Sequence, residues 1–132
     1  MKVEVIYEGD LHTIATHEDS GETLHTDAPK DNGGRGQTFS PTDLVATALA
    51  SCIATIMGLY AKTHDIDLRG MKIEIEKLMS SDAPRRIIKL ETHITLPKGL
   101  SEEVRRKLER VAHSCPVHHS LHPAIAIPIT IA

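Results

Sequence analysis

Aromatic residues are almost missing from this chain: two tyrosines, one phenylalanine and no tryptophan in 132 residues. A surface that stacks on nucleic-acid bases needs several such rings, so single-stranded nucleic-acid binding is a poor fit. An excess of positive charge is missing too. The formal net charge of −3 does not suit a phosphate backbone or an anionic membrane surface. No apolar run of signal-peptide length follows the N-terminus "MKVEVIYEGD", and the expectation is a cytoplasmic protein. No repeats and no low-complexity segments are present. "GGRG" (33–36) lacks the Lys-Ser/Thr ending of a phosphate-binding loop.

Cysteine is scarce as well, with two residues, Cys52 and Cys115. A pair of cysteines in a reducing compartment is rarely a structural staple. Three readings stay open: inert core residues, metal ligands, or a working dithiol. At this length a single domain has room for a core and needs neither metal nor disulfide to hold it.

The chain has one long uncharged stretch, "LVATALASCIATIMGLYA" (44–61). It approaches the length of a membrane span. It is rich in Ala, Thr and Ser and has no companion, so it reads as a buried helix. "SPTD" starts that helix, with Ser40 as N-cap, Pro41 at the first helical position and Asp43 three residues after the cap. The helix should run to about Lys62. Being apolar or small all round, it asks for burial on every side. A single small sheet covers only one side; the other needs a second helix or a second subunit, and a homodimer is a reasonable expectation.

Before this helix the pattern is of short strands. Val3, Val5 and Tyr7 alternate, and 11–16 and 22–26 alternate more weakly. Residues 27–39, "DAPKDNGGRGQTF", form a loop by composition. After the helix, Met71, Ile73 and Ile75 alternate, then Ile88, Leu90, Ile94 and Leu96, with "SSDAP" turning between them. Ser101 caps a second helix whose stripe is Val104, Leu108, Val111 and Ala112; Cys115 continues it and Pro116 stops it. Ile125, Ile127, Ile129 and Ile131 form a last strand, with Pro128 on the opposite phase, as at a sheet edge. The order is βββ-α-ββ-α-β, an α+β fold with mainly antiparallel sheet.

In this reading both cysteines face the core from two different helices, which permits a contact. A thiol that attacks a peroxide must ionise, and burial opposes this unless a cation is near. At the end of its helix, Cys115 would also feel an unfavourable dipole. Arg35, in the Gly-rich loop, is the candidate cation. Arg85 and Arg86 fit solvent at a strand start better. Asp43 can cap the helix and also orient an arginine. It is nine residues from Cys52, so ~13 Å along the axis and on the opposite helix face. A metal reading would use Cys115, His118, His119 and His122, though C-x-x-H is a loose motif.

"FSPTDLVATALASC" (39–52), followed much later by "CPVHHSL" (115–121), resembles the OsmC/Ohr family of organic hydroperoxide resistance proteins, in an OsmC-like branch. The likeness extends over almost the whole chain. It implies an intertwined homodimer with two long helices packed against sheets that both subunits build, and sites at the interface. It implies Cys52 as peroxidatic thiol, Cys115 as the resolving thiol that closes a disulfide, and Arg35 and Asp43 as the pair that activates Cys52. It implies organic hydroperoxides as substrates, an external dithiol (typically dihydrolipoyl) as reductant, and no metal or organic cofactor. Two departures stand out. The family's acid commonly lies ten residues before the cysteine, where this chain has Thr42, and the first turn, "YEGDLHT", holds no arginine. The alternatives are a protein that binds a small apolar ligand or acyl chain with inert cysteines, and a metal-binding protein using Cys115 and the nearby histidines.

Overall fold

The computed structural model describes residues 1–132. It has two three-stranded sheets and two long helices, an α+β fold. The chain divides into two compact units, 1–45 and 46–132.

The N-terminal unit is a meander of β1 (Val3–Gly9), β2 (His12–His17) and β3 (Thr23–Asp27), antiparallel throughout and in the order β1-β2-β3. Gly9, Asp10 and Leu11 all have positive φ at the first turn, and the register slips between Tyr7 and Gly9, so β1 ends in a bulge. The loop after β3 contains one turn of 3-10 helix, Lys30–Asn32. It folds back on itself through the Gly34 N–H on the Pro29 carbonyl and the Gly36 N–H on the Ala28 carbonyl. Gly34 is obligatory here, because a Cβ would lie 1.9 Å from the Ala28 oxygen.

The expected capping box is present. Ser40 Oγ accepts from the Asp43 N–H at 3.1 Å, and the Asp43 carboxylate accepts from the Ser40 N–H at 2.9 Å. Helix α1 (Pro41–Thr63) then runs uninterrupted. Only one face of it is buried, through Ala46, Leu49, Ile53, Met57 and Ala61. Leu59 on another face is 64% exposed. The even burial read from its composition is therefore absent within one chain.

The C-terminal unit holds the apolar core. The hairpin of β4 (Lys72–Met79) and β5 (Ile87–Thr95) is antiparallel, and β6 (Ile129–Ile131) lies parallel to β5 at the sheet edge, where Pro128 costs no ladder bond. Leu90, Thr92 and Ile94 of β5 are fully buried, as are Leu49, Ile53 and Met57 of α1. Helix α2 (Glu102–Ala112) is capped by Ser101, whose hydroxyl accepts from the Val104 N–H, and it buries Leu108 and Ala112.

One expectation fails in a useful way. Pro116 does not simply end α2. The helix already ends at Ala112, and Pro116 is the first residue of a short third helix, α3 (Pro116–Ser120). Proline lacks an N–H to donate but its fixed φ suits a helix start, so the residue that stops one helix begins the next.

Candidate functional site: a close thiol pair

Cys52 lies at mid-length on α1 and is half-buried; Cys115 is fully buried. Cys52 lies near enough to Cys115 to raise the pKa of its thiol. The two thiols that the sequence allowed to meet are neighbours, although Cys115 sits between α2 and α3 and not on a helix. Neither residue is close to the other in sequence. The α1 periodicity aims Cys52, and the α2–α3 junction aims Cys115.

That junction also changes the electrostatics of Cys115. It is the N-cap of α3, and its sulfur accepts from the His118 N–H at 3.5 Å. Local backbone N–H groups therefore face the sulfur, where a carbonyl-lined helix C-terminus was expected. They do not win. Burial, followed by the neighbouring Cys52, pushes the Cys115 thiol up, while the His118 and Val117 N–H groups pull it down by less. Cys115 is accordingly a protonated thiol at neutral pH. Beside it, burial holds the His118 ring neutral, helped by His113 and His119. The His118 Nδ1 is buried without a hydrogen-bond partner.

Arg35 and Asp43 belong to the N-terminal unit. Arg35 donates to the Asp10 carboxylate at 3.0 Å, in a pair where both side chains are well exposed, at 44% and 80%. Asp43 serves the capping box already described. Arg86 is tied to Asp82 on the surface at the hairpin turn.

The metal reading of the C-terminal histidines does not hold. Cys115, His118, His119 and His122 supply no group of three ligand atoms within 4.8 Å of one another, and His122 lies beyond the end of α3. An open groove of about 630 Å³ borders α1 near its C-terminal end, lined by Ala54, Gly58, Ile66, Leu68 and Met71 among others, and neither cysteine is part of it. One cluster went unforeseen. In the N-terminal unit His12 donates to the buried carboxylate of Asp27 at 2.6 Å and stands 3.1 Å from His25. Strict alternation along "LHT" and "TLHTD" was the available signal, since antiparallel pairing puts His12, His25 and Asp27 on one face.

A pair of neighbouring thiols, one on α1 and one at the α2–α3 junction, in an α+β fold of this topology defines the class. The OsmC-like protein family model matches residues 34–130, and the chain belongs to that family. A protein from Psychrobacter arcticus 273-4, provisionally described as an osmotic stress induced and detoxification response protein, is 42% identical. Its structure superposes with a TM-score of 0.95, over 100% of this chain and 96% of that one. The OsmC organic hydroperoxide resistance protein of Legionella pneumophila is 17% identical, TM-score 0.80, over 99% and 95% of the two chains. An organic hydroperoxide resistance protein of Elizabethkingia anophelis, solved with thiocyanate bound, is 17% identical, TM-score 0.78, over 100% and 96%. These last two share the fold. No curated protein matches the chain.

Proposed function

We propose that the protein reduces organic hydroperoxides to alcohols with the Cys52–Cys115 pair, in defence against oxidative stress. The observation that carries this reading is the nearness of the two free thiols, one half-buried and one fully buried, with Cys52 acting on the ionisation of Cys115. The half-buried thiol is the one a substrate can reach, and the fully buried one can only meet its neighbour. Cys52, as thiolate, attacks the distal oxygen of the hydroperoxide. The O–O bond breaks, the alkoxide leaves and takes up a proton as the alcohol, and Cys52 becomes a sulfenic acid. Cys115 then attacks the Cys52 sulfur, loses its proton, and releases water as the disulfide closes. An external dithiol, of dihydrolipoyl type, reduces the disulfide by exchange and is itself oxidised. A protonated Cys115 suits the waiting role, since it does not compete for the peroxide.

Arg35 is assigned as the cation for the Cys52 thiolate and Asp43 as its orienting acid, both on the family resemblance. An exposed ion pair with Asp10 is weak enough to give way. The active form is a homodimer. Support comes from the apolar side chains that a single chain leaves open: Val5 is 60% exposed, Tyr7 63% and Leu59 64%. The setting is the cytoplasm, where the disulfide is recycled.

The test is consumption of cumene or fatty-acid hydroperoxide by purified protein with a dithiol. Cys52→Ser should abolish turnover. Cys115→Ser should consume one equivalent and stall as sulfenic or sulfinic acid, seen by intact mass. Arg35→Ala should lower the rate of the first oxidation step without unfolding the protein. Full activity in Cys52→Ser would overturn the reading.

A further inference from the structure

Three strands of the N-terminal sheet bring nitrogen and oxygen ligand atoms together at one end. Glu8 stands at the end of β1, His12 begins β2 and His25 lies in β3. The pairing sets His12 opposite Asp27, and the bulge after Tyr7 turns the chain at Glu8. From His12 Nε2 the distance is 3.5 Å to Glu8 Oε1 and 3.1 Å to His25 Nδ1. All three ligand atoms lie within 4.8 Å of one another.

We propose that Glu8, His12 and His25 form a binding site for a divalent transition-metal ion of borderline softness, with Zn²⁺ as the type. Three features carry it. The donor set, two imidazoles and a carboxylate, is one that such ions accept in three-ligand sites with an open fourth position. The spacing is right: an ion with bonds of about 2.0–2.1 Å in tetrahedral geometry sets its ligand atoms roughly 3.4 Å apart. The 3.1 and 3.5 Å separations bracket that edge, and the third, between Glu8 and His25, is within 4.8 Å, so the two flanking side chains close in on the ion as it binds.

The third feature is the support behind His12. Asp27 is 1% exposed and accepts from His12 Nδ1 at 2.6 Å, while its other oxygen accepts from the Gln37 N–H at 3.1 Å. A proton fixed on Nδ1 leaves the Nε2 lone pair of a neutral His12 free and aimed at Glu8 and His25. Metal-binding histidines are commonly held by such a carboxylate. Without metal, His25 Nδ1–H donates to that lone pair. Metal binding moves the His25 proton to its Nε2, so the site fills without expelling a proton from either ring. Glu8 is half exposed and His25 exposed, which leaves an entry path.

The experiment is a titration of chelator-stripped, full-length protein with Zn²⁺ against a chromophoric competitor, repeated with Co²⁺ followed by its visible spectrum. One equivalent per chain should bind, with a Co²⁺ spectrum free of thiolate charge-transfer bands. Glu8→Gln and His25→Ala, both at exposed positions, should each weaken binding at least tenfold and leave circular dichroism unchanged. Asp27→Asn should weaken it about 10- to 100-fold by loosening His12. Cys115→Ser and His118→Ala should change nothing. Absence of stoichiometric binding would overturn the proposal. So would binding that survives His25→Ala, or that disappears in Cys115→Ser.

Discussion

The two units of the chain differ in what they bury: only polar side chains in the first, almost only apolar ones in the second, where Thr92 is the polar exception. Up to Val45 the buried residues are Thr26, Asp27 and Ser40, all polar; every buried apolar residue lies at Ala46 or beyond. Yet the N-terminal unit is not short of apolar residues. Val3, Val5, Ile6, Tyr7, Leu11, Leu24 and Phe39 are present and largely exposed. The C-terminal unit is therefore held by hydrophobic burial within the chain. The N-terminal unit is held by its strand ladders and by a buried hydrogen-bond network, and it offers its apolar surface outward. A three-stranded sheet needs a hydrophobic face covered to be stable, and a second copy of the chain is the cover proposed above.

Substitutions separate the two kinds of stabilisation. Leu108→Ala, at a fully buried position, should cost about 2–5 kcal/mol of unfolding free energy, measured by urea titration, because it removes transfer energy and leaves a cavity. The dissociation constant of the proposed dimer should change little. Val5→Glu should do the reverse. Placing a charge on a surface that a partner covers should weaken association about a hundredfold, close to 2.7 kcal/mol, read by analytical ultracentrifugation. Should Val5→Glu leave the assembly untouched, the proposed covering partner is wrong. The helix starts give a smaller contrast. Ser101→Ala removes an exposed cap that serves only the Val104 N–H and should cost about 1 kcal/mol. Ser40→Ala breaks a buried, reciprocal box and should cost more, towards about 2 kcal/mol.

The same contrast explains what could be read from the residues in advance. Period-two alternation in 88–96 and the "SPTD" start gave β5 and the beginning of α1 nearly to the residue, because burial there follows local pattern, whereas β4 runs on to Met79, α2 stops at Ala112 and the last strand begins at Ile129 and not at Ile125. The helix α3 was missed. Five residues starting at a proline have no periodicity, and what holds them is the Cys115 cap and the backbone bonds of a single turn. The thiol pair was legible as two inward-facing cysteines, but the sign of the helix-end field at Cys115 was not, since it depends on where α2 stops. The Asp27–His12–His25 network is further from legibility. Its members are 13 and 15 residues apart, and only the register of β2 on β3 brings them together.

That network gives the last and smallest prediction, on the acid side. Hydrogen bonding from His12 is the largest cause holding the Asp27 carboxyl below its ordinary value of 3.8, with the Gln37 N–H and Arg35 adding to it against the opposing effect of burial. A carboxyl that binds its proton less readily folded than unfolded adds stability wherever it is ionised in both states. That contribution is complete above the unfolded-chain value. It is lost as pH falls below 3.8 through the lower folded value, because the unfolded chain then takes up protons first. Asp27→Asn removes the titrating group, so the variant should lose stability near neutral pH, where the carboxylate is ionised, and approach the parent at the acid end. Thermal melts at closely spaced pH values would show the two curves converging below pH 3.8. Carboxylates of the C-terminal unit such as Asp67 and Glu74 also titrate on the acid side, and they do so equally in parent and variant, so the difference between the two curves reports the Asp27 network. Parallel curves for parent and variant would mean that the Asp27 network does not hold the N-terminal unit, and the polar-against-apolar contrast between the units would lose its basis.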